Sequence, residues 1–431
     1  MNIIDLFLNF NFIIPVVFTL CYFYQFVYIV IGLLKKYVPL EAKANHKYAV
    51  VISARNEANV IGNLITSIKE QKYPQELIDI LVVADNCTDN TAQVARDSGA
   101  TVYERFDDKL VGKGYALDWL FQQLKKDMPD NDYEAYIVFD ADNVVDPNFV
   151  TEMNKSFDNG YRILTSYRNS KNYSQNWISA GYSLWFIREA RFLNNPRTNL
   201  GTSCAISGTG FLVSAEIIKK NGGWIHHLLT EDIEFSVDSV LHGETIGYCE
   251  KAIVYDEQPV TFYQSYLQRL RWSKGFYQVF MKYGGKLLKG MLKGDYSCYD
   301  LLMVISPASI LTIASTILNA IAIPFSLIFD PEKFVELLMA LGGTIVSIYT
   351  MFFFVGVITT ITEFKQIHCP LIKKILYTFT FPLFMLTYIP ISVIALFKKV
   401  KWDPIKHSVS KSVSDICAED HAEVSKESIK A

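Results

Sequence analysis

The sequence predicts an α/β domain, a mostly parallel sheet with helices on both faces, inserted between transmembrane α-helices. Three observations carry that expectation. Half of the 431 residues are hydrophobic and mean hydropathy is positive, more apolar than an ordinary soluble chain. Four stretches lack any charged side chain: Leu6 to Leu34, Leu301 to Phe329, Leu337 to Thr362 and Ile375 to Phe397. Between the first and second lies a mixed segment, 35–300, in which apolar runs alternate with helical patterns, the signature of strands crossing over through helices.

Each charge-free stretch exceeds the roughly 20 residues that an apolar helix needs to cross a bilayer core. The first is too long for a signal-peptide core and has no basic segment before it, so it reads as a permanent anchor. Basic residues mark the inner side of a membrane. Lys35 and Lys36 follow the first stretch, Asp330 and Glu332 lie in the short second link, and Lys365, Lys373 and Lys374 occupy the third. This places the central segment and the 365–374 loop inside and the 330 loop outside. A fourth crossing then leaves the tail outside, whereas Lys398, Lys399 and Lys401 favour inside; Pro382 and Pro390 offer a re-entrant hairpin instead. Both alternatives stand at this point.

The expected organisation is an anchor over 1–36, a catalytic domain over 37–258, interfacial amphipathic helices over 259–299, a membrane region over 300–400 and a polar, mobile tail over 401–431. Within the domain, Tyr48 to Ser53, Ile78 to Ala84 and Ala135 to Phe139 read as buried strands, with helices after Glu57, Asp89 and Lys113. A net charge of −3 argues against general nucleic-acid affinity. Seven cysteines, with no C-x-x-C pair, favour reduced thiols over a disulfide framework.

Four motifs carry chemistry. Asp140-Ala141-Asp142 ends the strand-like run Tyr136 to Phe139, so its carboxylates emerge at the edge where parallel sheets bind ligands. Two such carboxylates hold a hard cation that uses its other positions for diphosphate oxygens. Thr230-Glu231-Asp232 follows the turn Gly222-Gly223-Trp224; an acid pair at a helix start complements the helix dipole, and a carboxylate there also suits a general base. Gln268, Arg271 and Trp272 share one face of the amphipathic stretch Tyr263 to Tyr283, where amide, guanidinium and indole suit a diphosphate and a sugar ring. Ser53-Ala54-Arg55-Asn56-Glu57 and Asp85 follow the first two strands and suit a nucleoside, while Asn86, Thr88 and Asp89 read as caps. Lys113, between two glycines, suits a phosphate.

In this order these residues resemble the family 2 glycosyltransferases, most nearly the membrane-integrated cellulose, chitin, hyaluronan and poly-N-acetylglucosamine synthases. The pattern D, D-x-D, [TE]-D, Q-x-x-R-W appears as Asp85, Asp140/Asp142, Thr230-Glu231-Asp232 and Gln268 to Trp272, over about Tyr48 to Phe280. The resemblance implies a GT-A-type domain on the cytoplasmic side of the membrane, a UDP-sugar donor, Mg2+ or Mn2+, and inversion at the anomeric carbon. It assigns Asp232 as base and Asp140 and Asp142 to the metal. The donor site becomes Ala54, Arg55, Glu57, Asp85, Lys113, Asp140, Gln268, Arg271 and Trp272. The acceptor site becomes Ser207, Gly208, Thr209, Gly210, Glu231 and Trp272; Ser207 to Gly210 is a Gly-rich turn suited to close backbone approach. The implied activity is polymerisation and export of a β-linked polysaccharide; the alternative is addition of one sugar to a lipid acceptor. Departures are the first motif, which lacks the usual proline and aromatic, and only four spans for a channel.

Overall fold

The computed structural model describes residues 3–35, 38–400, 405 and 407–419. Lys36 and Lys401, used above for orientation, and the tail beyond 419 lie outside the described residues.

Eight strands form one sheet: β1 (Tyr48–Ala54), β2 (Ile78–Asp85), β3 (Thr101–Arg105), β4 (Ala135–Asp140), β5 (Val144–Val145), β6 (Ile163–Ser170), β7 (Phe211–Ser214) and β8 (Ile246–Asp256). Their order is β3-β2-β1-β4-β7-β6-β8-β5. β3, β2, β1 and β4 run parallel, β7 lies antiparallel to β4 and β6, and β8 returns parallel to β6. The expected mostly parallel α/β sheet is therefore present.

The helices, in chain order, are α1 (Ile3–Tyr22), α2 (Tyr24–Leu34), α3 (Ile61–Lys69), α4 (Thr91–Asp97), α5 (Lys113–Asp127), α6 (Phe149–Asp158), α7 (Trp177–Glu189), α8 (Asn195–Asn199), α9 (Ala215–Asn221), α10 (Glu231–Leu241), α11 (Phe262–Leu292), α12 (Tyr296–Ile305), α13 (Pro307–Phe329), α14 (Pro331–Thr362), α15 (Leu371–Leu386), α16 (Tyr388–Phe397) and α17 (Val413–Ala418). A π-helical turn, Ala190–Asn194, joins α7 to α8.

Side chains on a strand alternate between faces, and β1 shows why both faces are covered. Val50 and Ile52 join a core with Leu64 and Ile65 of α3 and Phe149 and Met153 of α6. Ala49 and Val51 join a second core with Leu117 and Leu120 of α5 and Leu184 of α7. With both faces buried, the strand reads as an uninterrupted apolar run.

Among the described residues, four segments are long and apolar enough to cross a membrane: 9–34, 296–329, 331–362 and 371–397. α1 packs against α13 and α14. Asn11 of α1 and Asn319 of α13 exchange side-chain amide hydrogen bonds of 3.0 and 2.8 Å within that contact. α14 has 32 residues, about 48 Å of helical rise, and its C-terminal end meets the domain where Glu363 accepts the Tyr167 hydroxyl at 2.9 Å. The turn at Asp330 therefore lies at the far end.

The fourth segment behaves differently. α15 begins beside the domain, with the Tyr377 hydroxyl donating to Ser174 O. The α15–α16 junction is pinned there too: Arg269 Nη1 of α11 donates to Thr387 Oγ1 at 2.5 Å and Phe384 O at 3.2 Å. α16 then runs along α11, with the Tyr277 hydroxyl on Ser392 O and Lys274 Nζ on Ala395 O. The start of this segment thus rests on the domain and its end on α11. The tail follows suit. Residues 407–419 lie on the catalytic domain, with Ile416 of α17 buried against Val144 and Tyr255. The described part packs on the domain, with some polar side chains meeting the domain (Asn63 Nδ2 donates to Ser410 Oγ) and others meeting each other (Ser412 Oγ donates to Asp415).

Candidate active site

β1, β2 and β4 end side by side, Ala54 opposite Ala84 and Ser53 opposite Asp140. That register gathers three motifs, distant in sequence, at the carboxyl edge of the sheet. The turns after β1 and β2 each use an asparagine in left-handed backbone, Asn56 (φ 59°) and Asn86 (φ 52°), a conformation asparagine adopts more readily than most residues. Asn56 Oδ1 accepts the Thr88 N–H at 2.8 Å, so the two turns brace each other. Asp89 accepts the Thr91 N–H at 3.0 Å, while the cap position of α4 is Asn90, not the expected Asn86, Thr88 or Asp89, and its side chain makes no cap hydrogen bond. Asp85 is buried and accepts from Arg105 Nη1 at 2.5 Å. Burial raises its carboxyl pKa and Arg105 opposes that.

The D-x-D pair splits into two environments. Asp140 faces the cleft and accepts from Lys113 Nζ at 2.5 Å; Lys113 also donates to Gly208 O at 2.8 Å. Asp142 is buried and accepts the Glu257 N–H at 3.0 Å. Burial alone would raise its carboxyl, but His407, Lys171 and that N–H outweigh it and hold Asp142 below the usual carboxylate range. Two hard carboxylates fit a divalent cation. Among the described residues no three His, Cys, Asp or Glu side chains are grouped to hold a metal.

Glu231 and Asp232 open α10, and the structure shows what aims them. Glu234 is buried and accepts the N–H groups of His227 and Leu228, both at 2.9 Å, and Lys282 Nζ of α11 at 2.6 Å. Thr230 packs on Gly275 of α11 so closely that a Cβ there would lie 2.5 Å from Thr230. Asp232 Oδ2 comes within 3.8 Å of the Cβ position of Gly208. Burial raises both acid pKa values and the charge of Asp232 raises Glu231 further, while Lys113 pulls both the other way.

Gln268, Arg271 and Trp272 line the same cleft from α11. Trp272 is set edge-on against Tyr182 and Phe186 of α7, with ring centroids 5.7 and 6.1 Å apart. Arg269, between them in sequence, points the opposite way into the α15–α16 junction.

One cavity of about 1470 Å³ contains Arg55, Glu57, Asp85, Lys113, Asp140, Asp142, Ser207, Gly208, Glu231, Asp232, Gln268, Arg271 and Trp272 on its wall. Three expected site residues are elsewhere. Ala54 is buried beneath the edge. Thr209 turns inward, its hydroxyl accepting the Asp140 N–H at 2.9 Å. Gly210 (φ 64°) lies against Ser166 and Val254, where a Cβ would fall 2.6 Å from Ser166 Oγ. Thr209 and Gly210 thus brace the D-x-D strand while Ser207 and Gly208 face the cleft.

Sequence reasoning missed four cleft residues. Arg168 lies two residues before the end of β6 and Asp256 ends β8; Arg168 Nε donates to Asp256 at 2.7 Å and Nη1 to Ser207 O at 2.7 Å, supporting the turn at Ser207 and Gly208. Glu189 ends α7 immediately before the π-helical turn and accepts from Ser207 Oγ at 3.4 Å. His407 lies between Glu57 (2.8 Å) and Asp142 (3.9 Å), whose charges override burial and push its pKa up to about 10. A π-turn beside a cleft is a functional signal, though one readable only from coordinates.

A family model described as "Glycosyltransferase like family 2" matches residues 45–275. A β-monoglucosyldiacylglycerol synthase from Nostoc sp. is 25% identical over 382 residues, covering 84% of this chain and 76% of that one. A poly-β-1,6-N-acetyl-D-glucosamine synthase from Staphylococcus epidermidis is 23% identical over 233 residues, covering 54% of this chain and 55% of that one. The chain thus spans between about half and three quarters of these relatives. Among solved structures, a mannosyltransferase from Pyrobaculum calidifontis in complex with GDP-Man and Mn2+ superposes with a TM-score of 0.57 at 13% identity, covering 89% of this chain and 98% of that one. That likeness establishes the GT-A-type fold.

Proposed function

The chain belongs to the family 2-like glycosyltransferases, and from that premise we propose that it moves one sugar from a UDP-sugar to a lipid acceptor held partly within the membrane. The observation that carries this reading is the continuity of the cavity. The wall that bears Asp232 runs on to Ile14, Leu20, Ile323, Leu341, Ile345 and Met351 of α1, α13 and α14. An acceptor with its hydroxyl at Asp232 and hydrocarbon among these side chains removes apolar surface from water.

In this reading the uracil lies toward Asp85 and the diphosphate toward Lys113, Arg271 and Gln268. Asp140 and Asp142 would hold Mg2+ or Mn2+, which neutralises charge on the leaving nucleoside diphosphate. Asp232 accepts the acceptor proton as the oxygen attacks the anomeric carbon, inverting it in a single displacement. Burial favours a carboxylate basic enough for that step. In this reading the domain lies on the cytoplasmic side, supported by the basic residues Lys35 and Lys365 beside the apolar segments.

A second reading, extension of a polymer, is favoured by polar groups at membrane depth, Asn11, Thr312, Ser315 and Asn319, on the same cavity wall. Product size separates the two. Purified protein in lipid, supplied with a panel of UDP-sugars and Mg2+ or Mn2+, is expected to release UDP and give a lipid one sugar larger. A long product instead would establish the polymerase, and no UDP release with any donor and lipid would overturn both readings.

A further inference from the structure

One cation on the cavity wall has no part in the transfer described above. Arg188 of α7 is 8% exposed and lines the cavity. Three other basic residues of that wall each meet a carboxylate: Lys113 meets Asp140, Arg168 meets Asp256 and Arg197 meets Asp300. Arg188 meets a neutral amide instead. Its Nη2 donates to Gln25 Oε1 of α2 at 2.5 Å, and its guanidinium lies 4.9 Å from the centre of the Trp185 ring. Among the described residues no carboxylate comes within ion-pair distance of it. Glu189, next in the chain, leaves the helix in another direction, as neighbours about 100° apart must, and meets Ser207.

The neighbours of Arg188 fix its depth. α1 packs among α13 and α14, whereas α2 packs on the π-helical turn and α8. Gln25 stands at the start of α2, where the first apolar segment passes from membrane helices to the domain. Phe18 and Tyr22 continue the cavity wall along α1 on one side of it, and Ser207, Gly208 and Asp232 form the wall on the other. A cation between a hydrocarbon wall and a hydroxyl-activating acid occupies the level of a lipid headgroup. Burial lowers its pKa to about 10, so the charge persists at neutral pH. A buried charge without a counter-charge is costly, and a guanidinium fork matches the paired oxygens of a phosphate or carboxylate.

We propose that the lipid acceptor carries an oxyanion in its headgroup, a phosphodiester or a carboxylate, and that Arg188 binds it while a hydroxyl of the same headgroup lies at Asp232. This rests on the single-transfer reading above and names its acceptor class. The anion is a handle and not the nucleophile, so the displacement at the anomeric carbon is unchanged. Gln25 orients the guanidinium and the Trp185 face backs it. The other oxyanion in the cavity, the donor diphosphate, lies toward Lys113, Arg271 and Gln268 and is not held by Arg188.

The test uses the full-length protein in nonionic detergent, with fluorescent phosphatidylglycerol and fluorescent diacylglycerol as binding probes. Both offer a hydroxyl and only the first carries a negative charge. Wild-type protein is expected to bind phosphatidylglycerol about tenfold more tightly, the contribution of one charge-assisted hydrogen bond. Arg188→Gln is expected to erase that preference and Arg188→Lys to keep part of it, with UDP affinity in Mg2+ within about twofold of wild type in both. Equal binding of the two lipids by the wild type would overturn the proposal, however the variants fold. A preference that survives in Arg188→Gln would assign charge recognition to surface lysines and overturn it as well, and weakened UDP binding in that variant would move Arg188 to the donor. UDP release judges the underlying reading separately: an Arg188-dependent lipid preference in a protein that releases no UDP with any donor would overturn the transferase reading and leave the anionic-lipid site standing.

Discussion

A single methyl group added at Gly275 should cripple catalysis while the same group ten residues on should not. A Cβ at Gly275 falls 2.5 Å from both Cγ2 and Oγ1 of Thr230, whereas one at Gly285 meets nothing within 4 Å. Carbon contacts settle at roughly 3.5–4.0 Å, so Gly275→Ala must drive α11 and the start of α10 apart by about 1 Å. Overpacking of that kind costs about 1–3 kcal/mol of stability. Its larger effect is on geometry, because Thr230 immediately precedes Glu231 and Asp232 while Gln268, Arg271 and Trp272 ride on α11. A displacement of about 1 Å between base and donor site can cost on the order of 10²-fold in rate. Gly285→Ala, by contrast, gains up to about 1 kcal/mol of helix propensity. Sugar transfer and thermal unfolding measured on both variants decide the matter. Equal kcat in the two would refute the claim that the α10–α11 contact aims the acid pair.

Further outcomes follow from the same geometry. Asp232 must be ionised to accept a proton, and burial raises its pKa, so kcat/KM should fall on acidification at a pH above the ordinary carboxylate range. Lys113 pulls Asp232 down, so Lys113→Met should move that acidic limb upward; a limb that stays put or moves down speaks against Asp232 as base. Asp142→Ala should lose on the order of 10²–10³-fold in kcat even at saturating donor, as the leaving group loses counter-charge, and unchanged kinetics would remove the metal assignment. Glu189→Gln should raise the acceptor KM about tenfold while leaving UDP affinity alone, since Glu189 touches the acceptor turn through Ser207; a shift in UDP affinity instead would move Glu189 to the donor side.

Three strands of the parallel half, β1, β2 and β4, were legible in the sequence because they are buried on both faces, whereas the edge strand β3, with Thr101 and Glu104 exposed, was not. Tyr48 to Ser53, Ile78 to Ala84 and Ala135 to Phe139 read as apolar runs, and each observed strand extends the expectation by one residue. The antiparallel half was not. β6 reads Ile-Leu-Thr-Ser-Tyr-Arg-Asn-Ser, and its polar residues are buried by partners in Asp256, Glu363 and Gln366 that no local pattern announces. Likewise D-x-D and Q-x-x-R-W were readable as motifs, but Thr209 and Gly210 turned away from the cleft because one hydroxyl was needed to hold Asp140. The tail misled for the opposite reason. Its composition is that of a solvated segment, and the groups it binds, Glu57, Asn63, Lys171, Ser174 and Glu257, are scattered along the chain where no local pattern announces them. Pro382 and Pro390, with the basic residues Lys398, Lys399 and Lys401 after the segment, were the sequence hints that the fourth apolar segment differs from the rest.

The joint between the first and second membrane elements bears on how this enzyme can be handled. Arg197 of α8 is fully buried and grips Asp300 of α12 at 2.7 and 2.8 Å. The hydroxyls of Tyr24 and Tyr28 from α2 close on the same carboxylate at 2.9 and 2.8 Å, and Gly32 lets α2 press to within contact of Phe192. The N-terminal helix is thus a component of the domain's own wall rather than a leash. Cutting it away to obtain a water-soluble fragment would strip two hydrogen bonds from a buried anion and uncover the aromatic surface beneath. The catalytic domain is therefore best purified with its first 35 residues attached, in detergent or lipid.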